Sequence, residues 1–217
     1  MSVQGLIFDM DGVLFDTEGR YIEKRRLFFA QEQIAYDEKV LTEIMGLNLK
    51  ECLRRIFPEA DEIFLEDLKQ RYEEFSYERE DFYQTSIFPE VEHTLAALCR
   101  QGYEMGLASS SPPYKIEKAL KSTKLEKFFS FSLSGNEFQS SKPDPAIYLE
   151  AVSRMSCRKE EIMVIEDSEY GIRAAKAAGL LVTGRREYRY PARQEGCDYY
   201  IDTLAELPEL LKRLEGY

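Results

Sequence analysis

The chain has 217 residues, an apolar share of 44% and a formal net charge of -11, enough for one sizeable core, or for a core and a smaller second unit. That acidity argues against a non-specific nucleic-acid surface and against an anionic membrane partner, because both need clustered Lys and Arg. No apolar run approaches the roughly 18 to 20 residues of a membrane span, and no basic segment followed by a long hydrophobic one stands at the start, so neither membrane insertion nor secretion is expected.

The first element is Gly5-Leu6-Ile7-Phe8, a continuous apolar run of the kind that fills a strand buried on both faces. It ends in Asp9 and Asp11, two positions apart, so that along an extended segment both side chains point into one small volume. Two like charges that close are unfavourable unless a cation lies between them or one stays protonated. Gly12 then allows a sharp turn. Two readings stay open for these residues alone, a chemical site or ordinary turn acids following a strand.

After Thr17 the pattern turns helical for some seventy residues. Apolar positions at helical spacing predict four helices, around Ile22 to Phe29, Val40 to Met45, Leu49 to Phe57 and Phe64 to Phe75, joined by short loops as a small bundle. An acidic, Tyr-rich run from Tyr77 to Tyr83 leads back through Ile87-Phe88-Pro89. From there helix and strand alternate. Helices are predicted over Pro89 to Arg100, Tyr114 to Leu125, Lys142 to Met155, Ser168 to Ala178 and Leu204 to Leu214. The strands between them are Tyr103 to Ala108, Phe128 to Leu133, Ile162 to Ile165, Leu180 to Thr183 and Tyr199 to Ile201. Such alternation predicts an α/β core, a Rossmann-like doubly wound parallel sheet covered on both faces, carrying a small inserted all-α bundle. The expected division is 1-16 and 88-217 for the core and 17-87 for the helical insert.

Cys52, Cys99, Cys157 and Cys197 are far apart and form no C-x-x-C pair, which reads as isolated reduced thiols of a cytoplasmic protein and disfavours zinc. The single histidine, His93, lies off the apolar stripe of its helix, so the available chemical tools are carboxylates, lysine and a metal. In an open parallel sheet, ligands bind beyond the carboxyl ends of the strands. There the first strand presents Asp9 and Asp11, the second Ser109 followed by Ser110, and the fourth Glu166 and Asp167, with Lys142 opening a helix at the same edge. Carboxylates from two strands, a hydroxyl before a helix start and one lysine make an apparatus for a phosphate and Mg2+. The cation takes oxygen ligands, the helix start offers amides to an anion, and lysine adds a compact positive charge.

With these motifs in order, the chain resembles the haloacid dehalogenase superfamily, in the branch of beta-phosphoglucomutase-like phosphatases. Asp9-Met10-Asp11-Gly12-Val13-Leu14 is similar to the first motif, Ser109 to the second, Lys142 to the third, and Glu166-Asp167-Ser168 with Gly171 and Ala174-Ala175 to the fourth. The helical insert is similar to that branch's cap. The resemblance implies that Asp9 attacks phosphorus, that Asp11 serves as acid and then base, and that Ser109, Ser110 and Lys142 bind phosphate. It places Mg2+ against Asp9, Asp167 and the backbone carbonyl of Asp11, with Glu166 a direct or indirect metal partner.

Retention of Asp11 points to C-O-P chemistry, leaving phosphatase or phosphomutase. Mutases of the branch carry a cap histidine and a cap arginine; here Tyr21 and Leu49 stand near those positions, which favours a phosphatase for a small phosphorylated metabolite. A sugar-phosphate mutase is the alternative, and a binding protein that does not turn over the third reading. Asn48 and Lys50 are candidate substrate contacts or, equally, solvated residues starting a helix. Arg20, Lys24, Arg25 and Arg26 read as a solvated helix face with one member turned towards substrate. Nothing in the sequence specifies an oligomeric state.

Overall fold

Each core strand alternates its apolar side chains between two layers, and that alternation builds the sheet. In the computed structural model, which describes residues 2–75, 80–190 and 194–216, β1 (Gly5–Phe8) sends Leu6 and Phe8 to one face and Ile7 to the other. Around it lie β2 (Glu104–Ser109), β3 (Phe131–Ser134), β4 (Ile162–Glu166), β5 (Leu181–Arg185) and β6 (Tyr199–Ile201), in the spatial order β3-β2-β1-β4-β5-β6. Every pairing is parallel.

One face is covered by α5 (Val91–Arg100), α6 (Pro113–Thr123) and α9 (Leu207–Glu215), through Leu95, Ile116 and Leu211 among others. The other is covered by α7 (Ala146–Arg154) and α8 (Glu169–Ala177), through Tyr148, Ala151 and Ile172. Both layers bury apolar side chains against the strands, as a parallel sheet requires. The strand order reverses direction beside β1, so the crevice at its carboxyl end is the place where an open α/β sheet receives a ligand.

The insert contains α1 (Glu18–Gln31), the short α2 (Val40–Glu43), α3 (Leu49–Ile56) and α4 (Glu62–Glu74). These pack around an apolar cluster of their own, with Phe28, Phe29, Leu41, Leu53 and Leu68 at its centre. Part of the Tyr-rich stretch expected to lead back to the sheet, residues 77–79, lies outside the described residues. Phe82 and Tyr83 beyond it are buried in the sheet's cluster, with the Tyr83 ring edge-on to Phe15 at 5.4 Å. The two connections between insert and sheet run side by side: Asp16 N donates to Ser86 O at 2.7 Å, and Phe88 N to Leu14 O at 3.1 Å.

Two expectations shift. Lys142 belongs to a turn and not to a helix, since Pro143 and Pro145 follow it and α7 begins only at Ala146. The third strand begins at Phe131, because Glu126–Phe128 forms a short 3-10 turn.

Candidate active site

The carboxyl ends of β1, β2 and β4 converge on one buried ammonium group. Lys142 Nζ donates to Asp9 Oδ1 at 2.5 Å, to Glu166 Oε1 at 2.7 Å and to the Ala108 carbonyl at 3.1 Å, which uses its three protons on three adjacent strand ends. Burial alone would pull that ammonium towards neutrality, but Asp9 and Glu166 hold its pKa well above the ordinary lysine value. It is therefore a fixed positive charge in a dry place.

Glu166 is the organiser of the cluster. Its Oε1 also accepts from the Tyr148 hydroxyl at 2.8 Å, while Oε2 accepts from the Asp167 and Ser168 amides and the Ser168 hydroxyl, each at 3.0 Å. Burial works to raise its pKa, yet Lys142 and these donors lower it below the usual carboxylate value. With both oxygens taken up in this way, Glu166 acts through Lys142 and the turn after β4, which favours the indirect of the two roles expected for it towards a metal. Gly171, on the first turn of α8, faces this carboxylate so closely that any Cβ would overlap it.

Asp9 and Asp167 behave differently. Burial pushes the Asp9 carboxyl well above its ordinary range, against the pull of Lys142, and Glu166 and Asp11 push it further. Burial also raises Asp167, helped by Glu166, Glu18 and Asp9. Gly12 turns the chain at φ +78°, and its missing side chain makes the room that the Asp167 carboxylate fills. Acidic groups thus outnumber the one lysine at the centre, an arrangement that a divalent cation relieves. Among the described residues no three His, Cys, Asp or Glu side chains close a metal cage by themselves. The two carboxylates at the strand ends are a donor set of the kind Mg2+ takes, since that ion keeps several waters and needs one or two carboxylates plus a substrate phosphate. Asp9 and Asp167 are the residues that would hold it.

Asp11 is held by hydroxyls from two directions. Thr17 Oγ1 donates to its Oδ1 at 2.5 Å and Ser111 Oγ to its Oδ2 at 2.8 Å. Thr17 is the last residue before α1, so the connection into the insert also orients the second aspartate. Arg185 supports the turn that follows, donating to the Gly12 carbonyl at 3.1 Å with its guanidinium 3.6 Å from the Phe88 ring centre.

The loop after β2 differs in part from expectation. Ser109 is buried and its hydroxyl accepts from the Ser111 amide at 3.1 Å. Pro112 and Pro113 have no N–H, so the start of α6 offers an anion fewer amides than its position implies. Ser110 donates to the Gly46 carbonyl of the insert at 2.9 Å. Asn48 caps α3, accepting from the Glu51 amide at 2.9 Å, and Lys50 is exposed.

A cavity of about 420 Å³ lies between the strand ends and the insert. Asp9, Asp11, Ser109 and Ser110 line its floor, and Asn48 and Lys50 its upper wall. So do Glu18, Tyr21, Lys24, Arg25 and Leu49. Lys24 and Arg25 are buried, which corrects the reading of them as a solvated face; Arg26 is exposed as expected. Sequence reasoning also missed Glu18, Ser111, Thr17 and Tyr148. The signal for the first was weak but present: an acid at the start of a helix, two residues after the chain leaves the site.

Residues 6–184 match the family model described as haloacid dehalogenase-like hydrolase. The chain is 35% identical over 182 residues to a phosphorylated carbohydrates phosphatase of Thermotoga maritima, covering 82% of each chain. It is 30% identical over 187 residues to a pyrophosphatase PpaX of Listeria monocytogenes, covering 84% of this chain and 83% of that one. Over 199 residues it is 29% identical to a phosphoglycolate phosphatase of Photorhabdus laumondii, covering 84% and 80%. A crystal structure of beta-phosphoglucomutase from Clostridium difficile shares the fold, with a TM-score of 0.81 at 20% identity over 99% of this chain and all of that one.

Proposed function

We propose, for a chain that belongs to the haloacid dehalogenase-like hydrolase family and is a phosphoric monoester hydrolase of it, that it dephosphorylates a small phosphorylated metabolite with Mg2+ and an aspartyl-phosphate intermediate. The observation that carries this is the meeting of Asp9, Lys142, Glu166 and Asp167 at three strand ends, with Asp11 oriented beside them by Thr17 and Ser111.

In the first step a carboxylate oxygen of Asp9 attacks phosphorus in line as the bond to the leaving oxygen breaks. Protonated Asp11 gives its proton to that oxygen, and the alcohol departs. In the second step Asp11, now ionised, takes a proton from water as the water oxygen attacks phosphorus. The bond to Asp9 breaks, inorganic phosphate leaves and Asp11 is again protonated. Lys142 balances negative charge on the phosphoryl group and keeps Asp9 in place, while Glu166 keeps Lys142 in place. When bound between Asp9 and Asp167, Mg2+ would supply further charge neutralisation to the phosphoryl oxygens. Ser109 lies on the same floor as a hydroxyl donor.

The insert acts as a cap, with the division at 1-16 and 88-217 against 17-87. The paired connections near Asp16 and Ser86 are where it would hinge, closing to keep water from Asp9 until the alcohol has left. The mutase alternative is disfavoured, because Tyr21 and Leu49 line the cavity near the positions where mutases carry histidine and arginine. A cytoplasmic setting would keep the four cysteines free, as they are here; among the described residues no helix is long and apolar enough to cross a membrane.

The deciding assay is hydrolysis of p-nitrophenyl phosphate with and without Mg2+. Turnover is expected only with the cation and is expected to vanish in Asp9→Asn. Metal-independent turnover, or an active Asp9→Asn protein, would remove the proposed chemistry.

A further inference from the structure

The segment from the end of β5 onward sends three polar side chains, Arg185, Arg189 and Gln194, back to the turns that carry the candidate site. We propose that Arg189 is a positioning residue for Asp11: through Asp16 it fixes the stretch that carries Thr17, and Thr17 fixes the carboxyl that serves as acid and base. The role of Asp11 in this rests on the phosphatase reading.

Arg189 grips Asp16 with both arms of its fork, Nη1 donating to Oδ2 at 2.9 Å and Nη2 to Oδ1 at 2.7 Å. Such a bidentate pair fixes orientation as well as distance. On the other edge of the guanidinium, Nε donates to Glu187 Oε1 at 3.0 Å and Nη2 to Glu187 Oε2 at 2.6 Å, so the fork is itself held. Glu187 N donates to Gln194 Oε1 at 3.2 Å, and Gln194 Nε2 donates to the carbonyls of Asp167 at 2.5 Å and Arg185 at 2.7 Å. Arg185 in turn donates to the Gly12 carbonyl. One segment thus ties together the turn after β1, the turn after β4 and the entrance to the insert.

Asp16 is held on two sides, by Arg189 at its carboxylate and by the Ser86 carbonyl at its amide. The next residue, Thr17, is buried, and its hydroxyl donates to Asp11 Oδ1. Threonine is β-branched and stiff about χ1, so its hydroxyl goes where the backbone beside Asp16 puts it. Tyr190 braces the same stretch: it packs against the apolar cluster of the insert, and its hydroxyl occupies the room left by the missing side chain of Gly19 on α1. Misplacing a reacting group by about 1 Å can cost about a hundred-fold in rate. The Arg189 and Asp16 side chains are 48% and 39% exposed, and an ion pair so open to water adds little to stability. What this contact serves is therefore the orientation of Asp11 and not the folding of the chain.

The test uses leaving groups. In Mg2+, kcat/KM is measured for p-nitrophenyl phosphate, whose phenolate departs without a proton, and for n-propyl phosphate, whose alkoxide needs one from Asp11. With Arg189→Gln the ratio of the first value to the second is expected to rise about three- to ten-fold. Arg189→Lys, which supplies a point charge and no fork, is expected to give an intermediate ratio. Asp16→Ala is expected to raise the ratio by the same factor, and the two changes combined by no more than either alone. A merely structural loss lowers both values together and leaves the ratio where it was. An unchanged ratio in either single variant, or equal loss of both activities, overturns the positioning role, and so do effects of Arg189→Gln and Asp16→Ala that multiply. A wild type that hydrolyses neither ester removes the phosphatase reading, and the role of Arg189 with it.

Discussion

Replacing Lys142 with methionine keeps much of the side-chain volume and deletes the charge at the centre of the site. The wild-type ammonium makes three bonds, two of them to carboxylates at 2.5 and 2.7 Å, in a place where Lys142 and Glu166 are sealed from water. Removing one partner of a buried ion pair costs about 3 to 5 kcal/mol, because the remaining charge is left uncompensated. Glu166 keeps the Tyr148 hydroxyl and three donors from the turn after β4, which moderates its loss, whereas Asp9 loses its nearest cation. The pH dependence has a definite sign. In the wild type the folded-state pKa of Glu166 is lowered, so its contribution is present above its unfolded value of 4.5 and lost on acidification. Without Lys142 burial dominates and its folded pKa rises, so the variant recovers stability as protons return. Urea unfolding at several pH values is therefore expected to show a deficit of about 3 to 5 kcal/mol at pH 8, shrinking towards pH 5. In parallel, kcat/KM for p-nitrophenyl phosphate is expected to fall at least about a hundred-fold. A deficit below about 1 kcal/mol, or one that is constant with pH, would refute the charge-compensation argument.

Two further outcomes concern neighbouring residues. Burial first, then Asp11, raises the Glu18 pKa from 4.5 to about 7, with Glu166 and Glu187 adding to the rise and Arg25 opposing it. A raised folded pKa gives stability that is full below pH 4.5 and lost as pH passes 7. Glu18→Gln is thus expected to flatten the decline of stability between pH 5 and 8 by roughly 3 kcal/mol in denaturant titrations, and parallel curves for the two proteins would contradict it. Gly171→Ala places a methyl group against the Glu166 carboxylate. An overpacking cost of about 1 to 3 kcal/mol is expected as a lower melting temperature, accompanied by reduced turnover as Glu166 shifts away from Lys142. An unchanged melting temperature would show that the carboxylate can move aside freely.

The candidate site was legible because its residues stand at the ends of strands that are legible themselves. A continuous apolar run such as Leu6 to Phe8 or Ile162 to Ile165 marks a buried parallel strand, and the side chain that follows it must emerge at the sheet's carboxyl edge. Asp9, Ser109, Glu166 and Asp167 are therefore located by their neighbours in sequence. Lys142 was placed at the right edge even though it proved to lie in a turn, since Pro143 and Pro145 fix where α7 can begin.

The rest depended on contacts between residues far apart in the chain. By position Glu166 reads as a direct or an indirect metal partner, and it is Tyr148 and the Ser168 turn, which occupy its oxygens, that favour the indirect role of holding Lys142. Likewise Lys24 and Arg25 sit in a basic stretch that looks solvated when α1 is considered alone. Whether a helical side chain meets water or a cavity is set by how the helix is rotated against its partners, and that rotation comes from packing Phe28 and Phe29 into the cluster with Leu41, Leu53 and Leu68. By itself the sequence determined the sheet, the order of the motifs and the chemistry that can be proposed at Asp9. The tertiary structure decided which of the insert's charges face that chemistry, because long-range packing directs those side chains.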